Sequence, residues 1–83
     1  MYKIFILPQA EKDLDNLQIK IFNQMKNKIS SLSNNPRPSG CLKLTVEEGY
    51  RLKTGDYRIL YRIDDKEKII YIYRIKHRKE VYK

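Results

Sequence analysis

Tyr50-Arg51-Leu52-Lys53-Thr54-Gly55-Asp56-Tyr57-Arg58-Ile59-Leu60-Tyr61-Arg62 is the stretch that decides the fold. Its residues alternate in character with period two, the signature of β-strands whose successive side chains point to opposite faces. Gly55-Asp56 interrupts the alternation as a hairpin turn, where glycine supplies the positive φ. One parity collects Tyr50, Leu52, Tyr57, Ile59, Tyr61 and Ile63, a natural seat for helices. The other collects Arg51, Lys53, Arg58, Leu60 and Arg62, a cationic face left open. We therefore expect Arg51, Lys53, Arg58 and Arg62 to be exposed while Leu52, Ile59 and Tyr61 are buried.

Working outward, Asp64 to Lys68 reads as a second turn, and Ile69 to Ile75, rich in Ile and Tyr, as a central strand. On that strand Arg74 and Lys76 share a parity with Ile70 and Ile72, a mixed face whose register the sequence does not fix. Upstream, Cys41 to Thr45 reads as a short strand and Glu47-Glu48-Gly49 as a turn. The opening Tyr2-Lys3-Ile4-Phe5-Ile6-Leu7 is a strand covered on both sides, or an edge strand under a helix. Pro8 ends it, and a helix starts near Gln9 with Ala10, Leu14 and Leu17 on one face. A second helix carries Leu17, Ile21, Met25, Ile29 and Leu32 at spacings of three and four, and stops at Ser33-Asn34-Asn35-Pro36. That stripe is core packing. The expected fold is an α+β domain of order β-α-α-β-β-β, two N-terminal helices on a mainly antiparallel twisted sheet, with residues 1–83 as one domain.

Charge points to the partner. The chain of 83 residues has a formal charge of +8. Residues 51–83 hold eleven Lys/Arg against five Asp/Glu, while residues 1–50 hold seven against five. The positive potential belongs to the C-terminal strands and suits a polyanion, nucleic acid first. So small a domain buries little core and gains from a bound partner. One Cys and one His leave neither a disulfide nor a set with metal-ligand spacing, so no metal or cofactor is expected. No leader-like segment opens the chain and no apolar run reaches the ~20 residues of a membrane span; the expected location is cytoplasmic.

Arg, Lys and Tyr side chains remain, and they suit metal-free cleavage of RNA by its own 2′-hydroxyl. That reaction needs a base near the 2′-oxygen, an acid near the departing 5′-oxygen, and positive charge on the phosphate. A single well-placed donor can contribute a factor of ~10²–10³ in rate. Tyr is a poor base at its ordinary pKa of about 10, but a cation cluster favours the phenolate. Tyr82, in the same C-terminal segment as Arg78 and following Arg58 and Lys53, fits that role. Each of these residues also has a plainer reading: cations on an exposed strand are commonly just solvated, and His77 alone commonly packs or hydrogen-bonds.

The order Tyr50-Arg51-Leu52, Gly55-Asp56-Tyr57-Arg58 and His77-Arg78 before Val81-Tyr82 resembles the RelE/ParE superfamily of toxins from toxin–antitoxin pairs. Ala10-Glu11-Lys12-Asp13-Leu14, Asn35-Pro36 and Lys43-Leu44 extend the likeness over nearly the whole chain. The resemblance implies a RelE-type mRNA interferase, an endoribonuclease that cuts mRNA in the ribosomal A site and is held in check by an antitoxin. Residue by residue, it implies that Arg51, Lys53 and Arg58 hold the phosphate. Arg78 then serves as acid or phosphate stabiliser, and Tyr82 stacks on a base and helps to activate the 2′-hydroxyl. Arg62, Lys76 and His77 join Arg51 as RNA-binding candidates. Only Lys79-Glu80-Val81 separates Arg78 from Tyr82, a short spacing for the family, and some relatives place a His in this segment as the base. Tyr82 and His77 thus compete for one role. A ParE-like toxin that inhibits DNA gyrase without nuclease chemistry is the alternative, and an inactive nucleic-acid-binding module a third; fold alone does not separate them.

Overall fold

A computed structural model describes residues 1–81. The elements are β1 (Lys3–Ile6), α1 (Pro8–Asp15), α2 (Ile19–Ser31), β2 (Cys41–Lys43), β3 (Tyr50–Thr54), β4 (Tyr57–Asp64), β5 (Ile69–His77) and α3 (Arg78–Val81). They form one five-stranded sheet in the order β1-β5-β4-β3-β2. β1 runs parallel to β5, and the remaining pairs are antiparallel. The α+β plan read from the sequence holds, with the short β2 closing one edge and a one-turn α3 added after β5.

Local chemistry accounts for the boundaries. Pro8 occupies the first turn of α1, where its missing N–H costs nothing. α1 stops at Asp15 and α2 begins at Ile19, so Leu17 sits half-buried in the link and belongs to neither helix. α1 packs chiefly on the sheet, against β5, and α2 packs against both β3 and α1. Ala10, Leu14, Met25, Ile29 and Leu32 from the helices meet Leu52, Ile59, Tyr61, Ile70, Ile72 and Ile75 from the strands. Gly55 turns the β3–β4 hairpin with φ +60°. β1 is an edge strand with Ile4 and Ile6 packed toward the core, while Phe5 is 50% exposed on the far face and stacks on Tyr71. No helix among the described residues is long and apolar enough to cross a membrane.

A bulge resolves the register of β5. Ile72 pairs with Tyr61 and Arg74 with Leu60, so Tyr73 is an extra residue. The insertion flips the parity of the residues beyond it. Ile75 and His77 therefore lie opposite Ile59 and Tyr57 on the helix side, and Lys76 lies opposite Arg58 on the open side. The strand does not carry the mixed face that a regular alternation would have given it. Asp13 of α1 fixes this point: its Oδ2 accepts the Ile75 N–H at 2.8 Å and the Arg74 Nε–H at 2.9 Å.

A second polar assembly secures the α2–β2 connection. Arg37 donates to both carboxylate oxygens of Asp65, at 2.7 and 3.3 Å, and to the Tyr50 hydroxyl at 3.0 Å. Tyr2 donates to Asp65 at 2.6 Å, and Tyr61 donates to the Pro36 carbonyl at 2.8 Å. The Arg37 guanidinium, then the Tyr2 hydroxyl, holds the Asp65 carboxyl down to about 2. Burial pushes the Tyr61 phenol well above its ordinary value.

Candidate phosphate-binding face

The pairing register assembles the site. Lys53 lies opposite Arg58, and Arg58 opposite Lys76, so three cations form one row across β3, β4 and β5 on the face away from the helices. Arg51 heads the next row, opposite Leu60. Arg78 opens α3 two residues beyond Lys76, and its backbone N–H donates to the Asp56 carbonyl at 2.7 Å. That bond ties Arg78 to the hairpin end of the sheet, where the Lys53–Arg58–Lys76 row lies.

Exposure within the set departs from the expectation at Arg58. Leu52, Ile59 and Tyr61 are buried and Lys53 and Arg62 exposed, as the two parities require, but Arg58 is only 6% exposed and Arg51 half-buried. The reason is position: a central strand flanks Arg58 with long Lys side chains on both sides. Its guanidinium also folds back over the hairpin, donating from Nη1 to the Tyr57 carbonyl at 3.1 Å and the Gly55 carbonyl at 3.5 Å. No carboxylate among the described residues lies within 4.0 Å of it. A buried cation held by carbonyl dipoles alone is costly in isolation and favours an incoming anion.

The loop from Leu44 to Gly49 crosses the middle of this face, closed by the Leu44 N–H to the Gly49 carbonyl at 2.9 Å. It leaves Leu60 only 7% exposed and forms a groove in which Val46 and Glu47 face Arg51, Leu60 and Lys76. Gly49 is required there: its φ is +133°, and a Cβ would meet the Tyr61 carbonyl oxygen at 2.9 Å. Beyond the loop the face changes character. Arg62 lies over the Tyr73 ring at 5.4 Å, and Phe5 and Tyr71 stack at the edge. Arg62 is thus set apart from the row of three, four residues along β4 from Arg58.

His77 lies elsewhere. Its ring meets Tyr57 edge-on at 5.2 Å on the helix side, in a cleft lined also by Asp13, Asn16, Leu17 and Glu80. Arg74, the one arginine of β5, is drawn to Asp13, whose hydrogen bonds raise its pKa. Tyr82, the candidate base, lies outside the described residues. No group of three or more His, Cys, Asp or Glu among the described residues is placed to hold a metal ion. Sequence reading missed the Asp13 and Arg37 assemblies. Arg37 between Pro36 and Pro38 was the available signal, a cation on a loop too stiff to be idle.

The chain is similar to known toxins. The family model of the ParE toxin of the type II toxin–antitoxin system parDE matches residues 4–82. The toxin RelG of Mycobacterium tuberculosis is 30% identical over 84 residues, covering 99% of this chain and 97% of that protein. The RelBE2 toxin–antitoxin complex of the same organism contains a chain with a TM-score of 0.83 and 30% identity, covering 92% of this chain and 96% of that one. The archaeal RelE–RelB complex of Pyrococcus horikoshii gives a TM-score of 0.80 at 29% identity, covering 93% and 94%. Isolated RelE of Escherichia coli, at 22% identity and a TM-score of 0.80 over 99% and 92%, shares the fold. With its match to the family model and its resemblance to RelE toxins over nearly the full length, the chain belongs to the RelE/ParE superfamily as a RelE-type toxin of a toxin–antitoxin system.

Proposed function

We propose that the toxin is a metal-free endoribonuclease that cleaves mRNA, in the ribosomal A site, by attack of a 2′-hydroxyl on the adjacent phosphate. The observation that carries this reading is Arg58. Its buried guanidinium has no carboxylate partner among the described residues and sits in a row with Lys53 and Lys76. In the reaction the 2′-oxygen bonds to phosphorus and loses its proton to a base, Tyr82 as the phenolate, which becomes the neutral phenol. The 5′-oxygen departs with a proton supplied from the Arg78 side, leaving a 2′,3′-cyclic phosphate and a 5′-hydroxyl. Negative charge rises on the non-bridging oxygens between these events, and Arg58, Lys53 and Arg51 are the fixed cations that meet it. Arg62 and Lys76 hold flanking phosphates. The ribosome enters through the likeness to RelE toxins, not through any residue of the sheet.

A RelB-like antitoxin is the proposed protein partner, since the M. tuberculosis and P. horikoshii relatives were solved as toxin–antitoxin complexes. An acidic segment laid over the Lys53–Arg58–Lys76 row would block RNA by charge complementarity. The match to the ParE family model supports the second reading, gyrase inhibition without cleavage. Mapping mRNA 5′ ends after toxin induction, in translated and untranslated transcripts, separates the two. New 5′-hydroxyl ends confined to translated mRNA support the A-site nuclease. Intact mRNA with inhibited DNA supercoiling replaces it with the gyrase reading.

A further inference from the structure

We propose that His77 is a positioning residue, the N-cap of α3, and that it sets the orientation of Arg78 rather than exchanging protons with RNA. Three contacts converge on it. The His77 Nδ1 accepts the Lys79 backbone N–H at 3.3 Å, and Glu80 Oε1 accepts the His77 backbone N–H at 3.2 Å. This is a reciprocal cap of the kind made by a Ser or Thr with a Glu three residues on, here with imidazole as the acceptor. The ring is braced edge-on against Tyr57, its neighbour across the strands, at 5.2 Å. Meanwhile Arg78 N–H is taken by the Asp56 carbonyl at 2.7 Å.

The consequences are specific. A four-residue helix has no propagated hydrogen-bond ladder of its own and depends on its cap. Each of the three N–H groups at its start has a named acceptor, so α3 leaves the sheet in one direction. Arg78 is the first residue of that turn. Acceptance at Nδ1 requires that nitrogen to carry no proton, which fixes the Nε2–H tautomer. His77 itself stands on the helix side of the sheet, opposite Tyr57, whereas the cation row is on the other face. A residue so placed acts on the reaction through the helix it caps.

The cleavage readout rests on the nuclease reading above; the cap is tested separately by amide exchange. Full-length toxin is compared with His77→Ala, His77→Asn, Glu80→Ala and Glu80→Gln. Asn and Gln keep the acceptor oxygen and remove the imidazole or the charge. An ordinary cap shifts the helix population by roughly five- to tenfold. The expected result is that both Ala variants speed exchange of the Lys79 or His77 amide by about that factor and slow cleavage of ribosome-bound mRNA comparably in kcat. Asn and Gln recover most of both losses. Undiminished protection and cleavage in His77→Ala would overturn the proposal. So would His77→Asn cleaving as poorly as His77→Ala with its amide protection intact, since His77 would then be doing chemistry. If wild-type toxin cleaves no mRNA, the nuclease reading fails, and the exchange data alone uphold or reject the cap.

Discussion

Arg58 and Arg74 stand on neighbouring strands of one sheet and have opposite fates. Arg74 reaches over the β5 bulge to Asp13, at 2.9 Å, and that carboxylate also holds the Ile75 N–H. Arg58 is more deeply buried, yet among the described residues only carbonyls receive its guanidinium. Arg37 behaves like Arg74, paired to Asp65 at 2.7 Å and locking the α2–β2 loop. On the proposed function, the difference separates cations committed to the fold from cations held ready for a ligand. A high positive charge alone would not have made the distinction; the location of the carboxylates does.

The largest expected effect lies on the ligand side. Arg78→Ala or Lys53→Ala should lower cleavage by ~10²–10³, enough to abolish growth inhibition on induction, with unfolding midpoints unchanged. Growth assays paired with denaturant melts check this. Retained toxicity in both would erase the contrast. On the fold side, Asp13→Ala orphans Arg74 and the Ile75 N–H together, and should cost about 2 kcal/mol in a urea melt. Its cleavage rate per folded molecule should stay within a few-fold of wild type.

Smaller effects sharpen the same division. Tyr61→Phe removes the bond to Pro36 and should cost about 1 kcal/mol. Because the Tyr61 phenol is raised, its contribution is intact below about pH 10 and fades as pH climbs through the raised value. Alkaline melts of Tyr61→Phe should therefore fall off less steeply than those of wild type. The smallest effect belongs to Asp65, whose carboxyl is lowered to about 2. Its stabilisation is present above the ordinary carboxylate value of about 3.9 and is lost as pH falls toward 2. Asp65→Asn should flatten that acid limb while leaving neutral-pH cleavage untouched.

Much of this was legible in the chain. Period-two alternation around Gly55-Asp56 located the hairpin and its two faces, and three-and-four spacing located α2. The β5 bulge was not legible, because Tyr73 has no sequence mark of an extra residue, and the carboxylate that binds the residues just beyond it belongs to Asp13, about sixty residues away in the chain. Hence Lys76 joined the cationic face and His77 left it. Burial of Arg58 was equally hidden. Parity gave its face, but its exposure depends on Lys53 and Lys76 in the neighbouring strands and on the carbonyls at the Gly55 turn. The α3 cap rests on His77 and Glu80, a pairing that lacks the usual Ser or Thr signal.

Central to the proposed function is that Arg58, buried and without a carboxylate partner among the described residues, is kept so for a phosphate. Replacing it by Met tests this most directly, with stability and ribosome-bound mRNA cleavage measured on the same preparation. Removing an uncompensated buried charge should leave stability unchanged or raise it by about 1 kcal/mol, while cleavage drops by ~10²–10³. Arg58→Met that unfolds readily, or that cleaves at the wild-type rate, would contradict the account.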